Sequence, residues 1–222
     1  MIPNNTFKGQ IMDAKRNLKL IHTVEGVTLQ NTYDTAKVSG IDIGEIFLPS
    51  GEIVMCDPER RHAIEDMSRK TFSVKVPAGI YPVILYMAAT EDTSRIAFAE
   101  VCFNSNKPVT FVSAKSVYDA QNSNRKRYGY IVHDNQTGLM DAEAFKANCS
   151  RPEGMHWKPV VSFNDWDDDE RNAVLPYGIG HSRDHRLNAI RLEVPKGCYY
   201  WYWGKDSKGN VCCLVGDFFT YL

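Results

Sequence analysis

The chain has 222 residues, 43% hydrophobic and 24% charged, the composition of a folded globular protein. Its 15 glycines and 10 prolines are too few for a collagen or a linker protein. The net charge of −1 leaves no global positive field to hold nucleic acid or an anionic membrane.

The opening residues MIPNNTFKGQ show no basic segment followed by an apolar run, and no stretch of roughly 18 apolar residues occurs. Both readings predict a cytoplasmic protein without signal peptide or membrane span. The six cysteines are Cys56, Cys102, Cys149, Cys198, Cys212 and Cys213. Most sit in apolar runs, so they are expected to be free thiols that pack as small hydrophobes. There is no C-x-x-C, and adjacent Cys212 and Cys213 would point to opposite faces of a strand. No metal and no cofactor is therefore expected.

Short apolar runs bounded by turn residues dominate the chain, the pattern of a β-rich domain. Ile41 to Leu48 reads as a strand, Pro49-Ser50-Gly51 as a turn, and Glu52 to Cys56 as the returning strand of a hairpin. Asp57-Pro58 ends it, because proline cannot donate to a ladder. Residues 59–69 suggest a loose helix. Phe72 to Val76 alternates apolar and polar like a half-buried strand. Ile80 to Ala89, Arg95 to Phe103, Pro108 to Ala114 and Tyr130 to His133 read as further strands. Leu139 to Asn148 is rich in helix formers. Ala189 to Val194, Tyr199 to Trp203 and Val211 to Val215 are strands, the last two joined by the polar loop 205–210 as a hairpin. About nine strands and two or three helices define an α+β, mainly-β fold of antiparallel hairpins. No linker or repeat divides it, so residues 1–222 are expected to form one domain, with 1–40 an N-terminal segment packed on a core from 42 to 222.

Four segments carry a family likeness: Leu48 to Val54 with Asp57-Pro58, Val76-Pro77-Ala78-Gly79-Ile80-Tyr81-Pro82-Val83, Gly138 to Ala144, and Tyr202-Trp203-Gly204-Lys205-Asp206 running to Phe218. In this order and spacing the chain resembles a bacterial family known as domain of unknown function 4241, over roughly residues 42–222. The resemblance implies a soluble β-rich domain and carries no activity with it.

Several groups are candidates for chemistry, each beside a plainer reading. The acidic run 165–170 has aspartates at alternate positions, but Glu170 and Pro176 stand where a calcium loop needs Gly and Glu, so a solvated loop is the better reading. His181 and His185 are four apart, yet Gly178 and Gly180 argue for a loop rather than a helix that would align them. Asp57, Asp141 and Asp217 lie at element boundaries; converged, they would serve as a metal site or an acid–base pair, and apart they suit an Asx turn, a helix N-cap and a strand end. In Tyr199 to Trp203, alternate residues face opposite ways. Tyr199, Trp201 and Trp203 form one set and Tyr200 and Tyr202 the other, leaving one face for core and one for stacking a ligand. Tyr200, Tyr202, Trp203 and Asp206 are the candidate binding residues. Arg125-Lys126-Arg127 reads as a solvated basic loop.

No nucleophile elbow, dinucleotide fingerprint or phosphate loop occurs. The sequence thus favours a non-enzymatic cytoplasmic module that binds a protein or a small-molecule ligand, a class that includes accessory proteins such as the immunity partner of a bacterial toxin. Neither nucleic acid nor membrane is expected as a partner. The alternative is a hydrolase using Asp57, Asp141 and Asp217, with or without a divalent metal.

Overall fold

Strands outnumber helices throughout, as the short apolar runs require. The computed structural model describes residues 15–22, 28–30, 35–89, 94–122, 129–149, 160–163 and 175–219. A helix, α1 (residues 15–21), comes first. It is followed by β1 (Thr28–Gln30), β2 (Thr35–Leu48), β3 (Ile53–Met55), a 3-10 turn (Ile64–Asp66), α2 (Met67–Lys70), β4 (Gly79–Ala89) and β5 (Ser94–Cys102). Next come β6 (Thr110–Ser113), α3 (Val117–Gln121), β7 (Tyr130–Val132), β8 (Gln136–Asp141) and α4 (Ala142–Cys149). The last are β9 (Val161–Ser162), β10 (Tyr177–Ser182), β11 (Asn188–Glu193), β12 (Gly197–Lys205) and β13 (Val211–Asp217). This is an α+β, mainly-β fold with antiparallel sheets. No helix among the described residues is long and apolar enough to cross a membrane.

The chain divides into two compact units, one of Met1–Ile43, Pro82–Ser113 and Tyr199–Leu222, the other of Gly44–Tyr81 and Ala114–Cys198. In the first unit seven strands run in the order β1-β2-β4-β5-β13-β12-β6. The β12–β13 hairpin lies inside this order, between β5 and β6, pairing Tyr202 with Val215 and Trp201 with Gly216. A Cβ on Gly216 would lie 2.7 Å from the Trp201 ring, so only glycine lets the indole cross there. Phe218 meets the same ring edge-on at 5.8 Å and 88°. Helix α1 buries Leu18 and Ile21, one turn apart, in a cluster with Phe98, Phe111, Tyr202 and Val215.

In the second unit five strands run β3-β8-β11-β10-β9, antiparallel throughout. Helix α4 starts where the Asp141 carboxylate accepts from the Glu143 N–H at 2.8 Å, an N-terminal cap. Ala142, Ala144 and Phe145 then face a core with Val54, Met140 and Ala189.

Several elements differ from the sequence reading. β3 pairs with β8 rather than returning along β2, so the expected hairpin at 41–56 is a crossing between sheets. Residues 72–76 form no strand, because their backbone groups go to separate partners: Ser73 N–H to the Lys115 carbonyl and Val76 N–H to the Gly51 carbonyl. Leu139 to Asp141 is strand rather than helix, since the cap at Asp141 sets the helix start one residue later. The helix expected over 59–69 shrinks to a 3-10 turn and one turn of α2, neither of which buries a residue. Gly178 and Gly180 belong to strand β10, where a Cβ on Gly180 would meet the Ser162 carbonyl oxygen at 2.8 Å. β8, β9 and β10 raise the strand count above nine.

Candidate functional site

A polar cleft of about 490 Å³ lies in the second unit, lined by residues from α2, α3, β7 and the loop after β3. That volume suits a small ligand. Its construction begins at Asp57-Pro58. The Asp57 carboxylate accepts from the Glu59 N–H at 2.9 Å, closing an Asx turn, and His62 Nε2–H donates to the Asp57 carbonyl at 2.7 Å. The turn carries Arg60, Arg61 and His62 to the rim. Thr71 and Phe72 make single bridges to Val54 and Ser116, which hold α2 and α3 side by side. Ser116 caps α3 by accepting from the Asp119 N–H at 3.0 Å. Arg69 lies over the Tyr118 ring, 4.9 Å from its centre.

The charges in the cleft are unevenly spent. Arg60 pairs with Asp134 at 2.6 Å, both more than half exposed. Asp57 is committed to its turn, and Asp119 accepts from the Ser116 hydroxyl at 2.9 Å. Arg61 and Lys70 make no hydrogen bond or ion pair among the described residues. Tyr130 lines the cleft, and its hydroxyl is buried with no hydrogen-bond partner among the described residues. Burial pushes it well above the ordinary tyrosine range, helped by Asp119, so it remains a donor. An unsatisfied buried hydroxyl costs roughly 1–3 kcal/mol, a cost that an incoming acceptor would remove.

Nucleophilic chemistry has little purchase here. Cys56 lines the cleft, but burial raises its thiol far above the usual range, so the thiolate is scarce. Burial lowers His62 below the ordinary imidazole range despite its bond to the Asp57 carbonyl.

The three sequence-selected carboxylates each accept from a backbone N–H two residues on. Burial raises both Asp57 and Asp141 against the hydrogen bonds they accept. Asp141 accepts from the Ser50 N–H and hydroxyl at 3.0 and 2.8 Å as well as from Glu143. The β3–β8 register puts Ile53 opposite Asp141, and Asp57 follows four residues after Ile53, beyond the end of β3. Asp217 belongs to the first unit and accepts from the Phe219 N–H at 3.0 Å.

The candidate binding residues are placed differently from an open recognition face. Tyr202 and Trp203 are 4% and 2% exposed, interior positions, and Tyr200 is half-buried against the same core. Asp206 accepts from the Lys208 and Asn210 N–H groups at 2.9 Å each and from the Asn106 amide at 2.9 Å, shaping its own hairpin turn. His181 stands in β10 and His185 in the following turn, their rings 5.7 Å apart, and no third ligand joins them among the described residues. The acidic run 165–170 and Arg125-Lys126-Arg127 lie outside the described residues. The cleft residues that sequence reasoning missed are Arg61, Lys70 and Tyr130. The basic pairs 60–61 and 69–70, flanking the loose helix, were the available signal.

The fold and cleft thus describe a two-sheet α+β protein with a polar ligand-sized opening. The chain belongs to the family described as protein of unknown function (DUF4241), whose model matches residues 46–216. No curated protein and no solved structure matches it.

Proposed function

We propose that the protein is a binding module that recognises, without transforming, a small ligand bearing a carboxylate or phosphate group in the cleft of the second unit. The observation that carries this reading is the Tyr130 hydroxyl, buried without a partner in a cleft where Arg61 and Lys70 are also unspent. A hydroxyl donor and two cations on the residues of one cleft suit an anionic acceptor through charge-assisted hydrogen bonds. The hydrolase alternative has less support, because Asp57 and Asp141 are each committed to the backbone N–H of their own turn or cap. A reducing, cytoplasmic setting fits the six cysteines, none of which is joined in a disulfide among the described residues.

Thermal-shift measurements with inorganic phosphate, citrate and ATP as probes test the reading. At least one probe should raise the melting temperature, and Lys70→Glu should weaken its affinity by about tenfold or more, the worth of one charge-assisted bond. The probe should be recovered unchanged. Failure of all three probes, equal stabilisation of the Lys70→Glu protein, or turnover of the bound probe would each contradict the proposal.

A further inference from the structure

The first unit holds a separate cluster, under α1. Alternation on β5 turns Glu100 and Cys102 to one face of the sheet, and the register puts Val215 and Cys213 of β13 directly opposite them. Helix α1 lays His22 over this face, one turn after Leu18. His22 Nε2 is 2.8 Å from Glu100 Oε1, and the Tyr86 hydroxyl donates to Glu100 Oε2 at 2.7 Å. The Cys213 thiol completes the group: its sulfur, the imidazole nitrogen and the carboxylate oxygen all lie within 4.8 Å of one another.

The geometry points to a zinc site formed by His22, Glu100 and Cys213. Three observations support it. First, His22 Nδ1 is 2.6 Å from the Leu18 carbonyl oxygen. A carbonyl only accepts, so Nδ1 carries the hydrogen and Nε2 is the nitrogen left to ligate. A backbone carbonyl fixing the far nitrogen is the usual support of a metal-bound imidazole, and the Tyr86 bond to the second oxygen supports the carboxylate in the same way. Second, a helix pinned by an ion pair needs only His22 and Glu100, yet a third donor faces them. Gly204, opposite Cys213, gives that sulfur its room, since a Cβ there would lie 2.3 Å from it. Third, one nitrogen, one oxygen and one sulfur form a donor set typical of zinc, whose tetrahedral ligands lie about 3.5 Å apart.

Zinc bound to a neutral imidazole, a carboxylate and a thiolate forms a centre of zero net charge. Cys102 adds a second thiol on the same face.

The test uses the whole protein, stripped with chelator and reloaded. Wild-type protein should retain one equivalent of zinc through gel filtration. Cobalt in its place should give a sulfur-to-metal charge-transfer band. Cys213→Ser, near-isosteric in the core, should lose both while keeping the parent's near-ultraviolet circular dichroism. X-ray absorption of the zinc-loaded wild type should show sulfur together with nitrogen or oxygen in the first coordination sphere, a reading that needs no variant to fold. No retained zinc, a cobalt band unchanged in Cys213→Ser, or a coordination sphere without sulfur would overturn the site.

Discussion

Under α1 in the first unit, His22 and Tyr86 both hydrogen-bond to the buried Glu100 carboxylate, whereas in the second unit Arg61 and Lys70 line a cleft with no side-chain partner among the described residues. The difference is one of energetics. In the closed cluster each polar group is desolvated, so its partners are needed for the fold itself. In the cleft the charged groups keep their water, so replacing them leaves folding nearly untouched and alters recognition. Pairing of a polar group thus separates residues that hold this protein together from residues available to a ligand.

The largest effects should come from the closed side. Glu100→Ala in metal-free protein leaves the imidazole and the Tyr86 hydroxyl buried without their acceptor. It should cost about 3–5 kcal/mol by denaturant unfolding. A variant within experimental error of the parent would show that the cluster is hydrated and that the contrast fails. Trp201→Ala should cost a similar amount, about 3–5 kcal/mol, because the ring fills the space over Gly216. Tyr202→Ala should lower the melting temperature much as Trp201→Ala does. A stable Tyr202→Ala protein would return that face to recognition.

Caps and turns rank next. Asp141→Ala removes the start of α4 and leaves Ser50 without its acceptor, an expected loss of about 1–2 kcal/mol by the same unfolding measurement. Asp206 offers a pH signature. Burial alone would raise its carboxyl, but the bonds from Asn210, Lys208 and Asn106 hold it below the ordinary aspartate range. A depressed folded-state value gives stability that is present above the unfolded value and lost as pH falls through the folded one. Acid titration of the parent should show this loss at the low end of the aspartate range, and Asp206→Asn should abolish that portion of it. An identical acid profile in the variant would remove the carboxylate from the account of the hairpin.

The sequence was most readable where structure is local. Two apolar runs around Asp206–Asn210 specify the β12–β13 hairpin by themselves, and the aspartates at 57, 141 and 217 each show their turn or cap within two residues. Long-range pairing was hidden. Nothing near Ile53 says that its partner is Asp141 rather than the strand just before it. The alternation of Phe72 to Val76 matches its burial at both ends, but alternation records only which side is covered, not whether a ladder exists. The zinc cluster was invisible in principle to spacing rules, because its donors are separated by most of the chain and meet only when α1 lies on β5 and β13. In the cleft, Arg61 and Lys70 were evident as charges, and only the bridges at Thr71 and Phe72 bring Tyr130 and α3 to the same opening.

The most direct test of the proposed recognition is a nitrogen–proton correlation spectrum of the labelled protein titrated with citrate, phosphate and ATP. The account predicts that the amides of Arg61, Lys70 and Tyr130 shift together, saturably, while those of Glu100 and Cys213 stay in place. Shifts confined to other parts of the chain, or none with any probe, would contradict it.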